Sequence, residues 1–252
     1  MEKQMFEAQF CEIMRKNGLD RYCKEPFLSK YASFLELFFA ENARTNLSAI
    51  RTPAEAIAKH LADCLLAESC FPEGATVLDI GCGGGFPSFP LAIARPDLQI
   101  TAIDSTKKKV DFVSHTAGEL NLSNLKTICG RVEAPEQANL RVRFDIVTGR
   151  AVANLRVFAE LALPFAKTGG LLIAFKGAQG AEELDEAQNA IRTLGGTPER
   201  DLSCSLFCPI SQPDGILTDY QKERRHLLIV RKQKLTPPQY PRAYAAILKR
   251  PL

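Results

Sequence analysis

Four glycines between Val77 and Pro87 mark a place where backbone rather than side chain would hold a ligand. The stretch reads Val77-Leu78-Asp79-Ile80-Gly81-Cys82-Gly83-Gly84-Gly85-Phe86-Pro87. Apolar strand formers run straight into the glycines, and a glycine turn lets backbone pass close to a ligand with no Cβ in the way. Strand, glycine turn and helix in that order open a Rossmann-like sheet. The dinucleotide pattern G-x-G-x-x-G nevertheless fails, because the third-glycine position counted from Gly81 holds Phe86. That glycine permits close helix–strand packing around a pyrophosphate, so Phe86 argues against NAD. Asp79, two residues before the first glycine, points to another nucleotide-like ligand.

Three further groups stand at the ends of expected strands. Asp104-Ser105 follows Gly81 by 23 residues, where a carboxylate can accept from the two hydroxyls of a ribose. The same aspartate could instead cap the helix that begins near Lys107. At Arg131-Val132-Glu133, backbone amides and an acid could read an adenine ring and its exocyclic amine. Thr148-Gly149-Arg150 would put an arginine at the mouth of the same cleft. His60 and Asp63, one helical turn apart, read either as a substrate-facing pair or as a capped surface histidine with its neighbour.

The elements needed to position these groups alternate along the chain. Residues 1–72 read as a helical extension, with one helix opened by Thr52-Pro53, a good N-cap followed by proline at the first turn. Strands are expected at TVLDIG, QITAIDS, LKTICGRV, FDIVTGRAV and GGLLIAFKG. Helices are expected at 88–94, KKKVDFVSHTAGELN, ANLRVFAELALPFA and AEELDEAQNAIRTLG. Such alternation means a parallel sheet with right-handed crossovers. Two last strands, LSCSLFCPI and HLLIVRKQ, follow each other without a helix, so one of them should be antiparallel. The expected organisation is a helical extension at 1–72, a Rossmann-like domain at 73–235 and a basic C-terminal arm at 236–252.

Composition excludes several classes. At 46% hydrophobic and 24% charged, the chain can bury a proper core. No apolar run approaches the roughly 20 residues needed to span a bilayer, and the first residues lack the apolar stretch of a signal peptide. The eight cysteines form no Cys-x-x-Cys pair, and a zinc site built on Cys204 and Cys208 would need two more ligands from a chain with three histidines. Reduced thiols in a cytoplasmic protein without a metal are the expectation. The charge is uneven: nine basic residues (222, 224, 225, 231, 232, 234, 242, 249 and 250) face one acid, Glu223, in the last part of the chain. Such segregation suggests a polyanionic partner, although a solvated strand edge and a soluble tail would read the same way. Tyrosines at 220, 240 and 244 and prolines at 237, 238, 241 and 251 favour an extended arm over a helix.

Glycine loop, acid, acid and variable polar group at four successive strand ends resemble the S-adenosylmethionine-dependent methyltransferases of the Rossmann-like class. Their first motif, D/E-x-G-x-G-x-G, reads here Asp79-Ile80-Gly81-Cys82-Gly83-Gly84-Gly85, and they end in an antiparallel hairpin. The resemblance is closer to one family. Asn46-Leu47-Ser48-Ala49-Ile50, Lys59-His60-Leu61-Ala62-Asp63, the Phe86-Pro87 after the glycines, DIVTGRAV, GGLLIAFKG and Tyr240-Pro241-Arg242 look like the bacterial RsmG family, also called glucose-inhibited division protein B. The resemblance implies methyl transfer from S-adenosylmethionine to nitrogen-7 of one guanine in 16S ribosomal RNA of the small subunit. Carried over position by position, it implies cofactor contacts from Gly81, Phe86, Asp104, Ser105, Val132, Glu133 and Arg150. The chain departs from the family's R-A-E at Val132, from its T-A-R-A-V at Gly149, and from its G-x-P after Arg242.

Nitrogen-7 carries an in-plane lone pair and no proton, so no general base is required. The Asn/Asp-Pro-Pro-Tyr/Phe of adenine-N6 enzymes is absent after the fourth strand, as is the Pro-Cys of cytosine-C5 enzymes. The expected catalyst aligns its reactants, with Arg150 as a candidate to hold the base or the cofactor carboxylate. A small-molecule methyltransferase on the same fold is the alternative, disfavoured by the basic C-terminus.

Overall fold

The computed structural model describes residues 3–211 and 217–252. Seven strands make one sheet: β1 (Thr76–Ile80), β2 (Gln99–Asp104), β3 (Leu125–Cys129), β4 (Phe144–Arg150), β5 (Ala166–Lys176), β6 (Gly196–Ser211) and β7 (Leu217–Lys232). Their order is β3-β2-β1-β4-β5-β7-β6. The first five pair in parallel, and β7 runs antiparallel to both β5 and β6. The mixed sheet with a closing antiparallel pair matches the sequence expectation. The two last strands are longer than their apolar stretches, at 16 residues each, because polar residues continue the ladder beyond the core.

Nine helices accompany the sheet among the described residues: α1 (Lys3–Lys16), α2 (Phe27–Thr45), α3 (Pro53–Ala56), α4 (Asp63–Leu65), α5 (Ser88–Ala94), α6 (Lys107–Glu119), α7 (Leu155–Ala162), α8 (Gly180–Thr193) and α9 (Tyr244–Lys249). The Thr52 hydroxyl accepts from the Glu55 amide with Pro53 behind it, so the N-cap read from Thr52-Pro53 forms. The helix it opens does not run on unbroken. Ile57–Ala62 takes π pitch between α3 and α4, and the Asp63 amide reaches back to Ala58. The helix expected over ANLRVFAELALPFA stops at Ala162, where Leu163–Phe165 tightens into a 3₁₀ turn around Pro164 and Ala166 starts β5.

Side chains alternate across β1, so Val77 and Leu78 enter different cores on the two faces. Val77 and Ile100 pack with Phe10, Tyr31, Phe34, Phe38, Ile57 and Leu61, so the helices of 3–72 form one covering layer of the sheet. The Tyr31 hydroxyl donates to Pro90 O at 3.0 Å, fastening that layer to α5. Leu78 and Val147 pack on the other face with Phe158, Ile191 and Ile247.

Ile247 belongs to α9, and here the structure corrects the expected extended arm. The segment after β7 folds back and docks. Glu160, fully buried, accepts from the Arg242 amide at 2.9 Å, from its Nε at 2.8 Å and from its Nη2 at 2.6 Å. Arg141 donates to Tyr240 O, and Arg156 to the carbonyls of Pro251 and Leu252. Lys232 is also internal, donating to Leu163 O and Leu194 O, and burial pulls its ammonium down to about 8. Of the nine basic residues, Lys222, Arg224, Lys234, Lys249 and Arg250 are fully surface-exposed.

Candidate active site

The carboxyl ends of the parallel strands carry two recesses that share one residue, Val152. The smaller, about 280 Å³, opens over β1, β2 and β3 and is lined by Ile80, Gly81, Ile103, Asp104, Ser105, Gly130, Arg131, Val132, Glu133, Val152, Leu161 and Tyr244. Of the residues singled out in the sequence, it brings together Gly81, Asp104, Ser105, Val132 and Glu133. Ligands of doubly wound sheets bind at this kind of position, beyond the strand ends and beside the point where strand order reverses.

The glycine loop is shaped by the acids beneath it. The Gly81 and Cys82 amides donate to Ile103 O at 2.8 and 3.2 Å, tying the turn to β2. The Asp104 carboxylate accepts from the Gly83 amide at 3.0 Å and from the Thr106 amide at 2.8 Å. It therefore fixes the loop and the start of α6, and each oxygen keeps a lone pair for a further donor. Gly83 holds a φ of +55°, and a Cβ there would meet only Gly81 O, at 3.9 Å, so the space above the turn is open. Asp79, fully buried, accepts from the Ser88 hydroxyl at 2.5 Å, while its Oδ1 has no partner. Burial lifts this carboxyl to about 7. An open glycine cradle, an orphaned carboxylate oxygen behind it and acids at the next two strand ends suit a ligand bearing a ribose, an amine and a cationic group. S-adenosylmethionine has all three.

Phe86 and Arg150 lie outside this cleft. The Phe86 ring is buried, stacked on the His60 ring at 4.2 Å between centroids, with Phe34 and Phe38 at its edges. Arg150 does not sit at the mouth of the small cleft, as its strand position suggested. Its Nη1 donates to Lys59 O at 2.6 Å and to Asp63 at 2.9 Å, and its Nη2 to His60 Nδ1 at 2.6 Å. The π pitch leaves Lys59 O facing this guanidinium. Because arginine only donates, His60 accepts at Nδ1 and its Nε2 donates to Ser48 Oγ at 2.9 Å. Burial, then the Arg150 charge, pulls the imidazole down to about 3. His60 and Asp63 are thus buried links, and the sequence segments around Ser48, His60, Phe86 and Arg150 close on one another. Asp63 also accepts from Arg225 Nε at 3.0 Å, binding β7 into the same network.

Arg150 lines the larger recess, about 740 Å³, at the ends of β4, β5 and β7. Its rim is the loop Ala151–Asn154, in which Ala151 takes a φ of +56°, a conformation that costs a side-chain-bearing residue energy and clusters at functional sites. Lys176 anchors that loop, donating to Ala153 O at 2.6 Å and pairing with Glu183 at 2.7 Å. Gly149 has its own reason to be glycine, since a Cβ would come within 2.8 Å of the Phe158 ring and 2.9 Å of Ile80 O. The loop's end, Asn154, caps α7 by accepting from the Arg156 amide at 2.9 Å.

Two residues lining these recesses had escaped attention. Tyr244 reaches the small cleft from α9, its ring 5.3 Å from the Arg131 guanidinium carbon, and only the docked tail brings it there. His226 lines the large recess from β7, opposite Lys176 of β5. Its alternation in the last strand was readable; its position beside the recess was not. Among the described residues, no three His, Cys, Asp or Glu side chains are grouped to hold a metal ion, and no helix is long and apolar enough to cross a membrane.

The family model described as GidB, rRNA small subunit methyltransferase G, matches residues 27–206. A protein of Lysinibacillus sphaericus named ribosomal RNA small subunit methyltransferase G is 36% identical over 251 residues, 98% of this chain and 100% of its own. The same-named protein of Deinococcus deserti is 39% identical over 233 residues, 90% of this chain and 89% of its own. Among solved structures, the YcgJ protein of Bacillus subtilis superposes with a TM-score of 0.51 at 16% identity, covering 69% of this chain and 100% of that one. M. jannaschii TYW2, solved in complex with AdoMet, gives 0.50 at 14%, covering 68% and 74%. These two show the shared fold. With sequence identity sustained over almost the whole chain, the protein belongs to the rRNA small subunit methyltransferase G family, the RsmG or GidB family.

Proposed function

We propose that this chain transfers a methyl group from S-adenosylmethionine to nitrogen-7 of a guanine in the 16S ribosomal RNA of the small subunit, in the cytoplasm. The observation that carries the reading is the pair of recesses meeting at Val152, one over the glycine loop and one over the end of β4. Bound S-adenosylmethionine supplies an electrophilic methyl on a sulfonium. In the small cleft, Asp104 accepts the ribose hydroxyls on its remaining lone pairs, with Ser105 beside it. Val132 and Glu133 take the adenine through backbone and carboxylate, and Tyr244 closes that side. Gly81 and Gly83 let the methionine end lie against bare backbone.

Nitrogen-7 needs no deprotonation, so the protein's contribution is alignment, and well-oriented reactants gain roughly 7–11 kcal/mol over free encounter. Arg150 acts as the strut that holds α4, the Phe86 stack and the β4 loop in one geometry, in place of a free clamp. The target base must leave its stack to reach the large recess, since the deep groove of A-form RNA is closed to side chains. The exposed Lys249 and Arg250 are placed to meet phosphates.

The test is borohydride–aniline scission of rRNA, mapped by reverse transcription, from a strain lacking the gene and from one carrying it. Scission at one 16S guanine should vanish with the gene and return with it. Scission that persists in the deletion strain, or methylation of another atom by the purified protein, would overturn the reading.

A further inference from the structure

The large recess contains a polar atom that alignment alone leaves unused. His226 is 7% exposed, and both oxygens of Asp201 stand near its Nδ1, at 2.8 and 3.0 Å. A carboxylate only accepts, so the proton of the neutral ring sits on Nδ1 and Nε2 is left with a bare lone pair. That nitrogen is buried and has no hydrogen-bond partner among the described residues. The neighbouring charged groups are already engaged: Arg225 with Asp63 and Glu223, Lys176 with Ala153 O and Glu183. The ring cannot swing away, because α8 packs on it so closely that a Cβ on Gly180 would lie 2.4 Å from the His226 Cβ. A buried acceptor, held in one tautomer and unsatisfied, calls for a donor from outside.

We infer that Nε2 of His226, oriented by Asp201, accepts a hydrogen bond from the 2-amino group of the target guanine and so selects guanine over adenine. This rests on the reading above, in which the large recess receives the base. Guanine offers donors at N1 and at the 2-amino group, whereas adenine has a lone pair at N1 and no 2-amino group. An acceptor at this point welcomes the first and leaves the second with an unpaired buried lone pair. The 2-amino group lies on the edge away from nitrogen-7, so the contact holds the base while leaving the nucleophile free. His226 is in this role a specificity residue, and Asp201 a positioning residue.

The experiment compares small subunits whose 16S rRNA carries guanine or inosine at the target; inosine lacks only the 2-amino group. Wild-type kcat/KM should drop about 5- to 150-fold on inosine, the range for one buried polar group left unpaired. His226→Ala should fall by a similar factor on guanine and show no further drop on inosine, with S-adenosylhomocysteine affinity unchanged. Asp201→Asn, which leaves the ring in place but no longer dictates its tautomer, should shrink the inosine penalty. His226→Asn, similar in shape at its root, serves if the alanine variant does not fold. A wild-type enzyme indifferent to inosine overturns the inference, as does an inosine penalty of equal size in wild type and the His226 variants. Failure of the wild type to methylate the guanine substrate would overturn the underlying reading instead, so the two failures are told apart.

Discussion

Asp79→Asn exposes two opposed pH dependences that cancel in the intact protein. Burial lifts the Asp79 carboxyl to about 7 from an ordinary 3.8, so between those values the native state holds a proton the unfolded chain has released. Stability from this group is therefore present at low pH and lost as pH rises through about 7, by at most about 1.4 kcal/mol per unit and about 4 kcal/mol in all. His60 works the other way. Burial and the Arg150 charge pull it down to about 3 from 6.5, so the unfolded chain takes up a proton that the native state refuses. Its contribution is present above 6.5 and lost as pH falls towards 3, with a ceiling of about 5 kcal/mol. Between pH 4 and 6.5 the two slopes oppose each other. Asparagine keeps the size of Asp79 and removes only the acid, leaving the His60 slope uncovered. The stability difference between variant and wild type should therefore move in the variant's favour as pH rises from 4 to 7, and level off above that. Urea unfolding at pH 4.5, 5.5, 6.5 and 7.5 measures it through midpoint and slope. A difference that stays flat across the series would refute the assignment of a raised Asp79.

If the cationic group of a bound cofactor compensates an ionised Asp79, S-adenosylhomocysteine binding near pH 6.5 expels protons; calorimetry in buffers of different ionisation enthalpy reads this, and identical heats would count against it. Asp104→Ala should weaken S-adenosylhomocysteine about 5- to 150-fold and also lower stability, because the Gly83 and Thr106 amides lose their acceptor. An S-adenosylhomocysteine analogue without ribose hydroxyls should show no such loss of affinity, and an equal loss there would reduce Asp104 to a cap. Neutralising Lys249 and Arg250 should flatten the slope of log RNA affinity against log salt by about 0.7–0.9 for each phosphate contact removed. Arg242→Gln should leave that slope unaltered, its charge being spent on Glu160, and should instead raise hydrogen exchange across 240–252; a changed slope with unchanged exchange would contradict the docked tail.

The sequence by itself determined the sheet and its ligand edge. Apolar strands ending in Gly81, Asp104, Glu133 and Arg150 are local patterns, and period-two alternation with glycine turns is legible one segment at a time. It also carried the family, through segments whose residues were readable but whose purpose was not. Ser48, His60, Phe86 and Arg150 are separated by up to a hundred residues, and only folding reveals that they close on one another around a π turn. The tertiary structure likewise decided the fate of charge. Arg242 and Lys232 look like members of a basic tail, yet Glu160 and two helix-end carbonyls take them inside. A long, flexible cation has no periodicity that tells solvent from a buried partner, because the partner comes from another element. For the same reason Tyr244 read as part of an arm and stands instead at the wall of the small cleft. Local chemistry writes strands and loops into sequence; contacts between distant elements are set by how the layers pack, and that sum is made only in the folded chain.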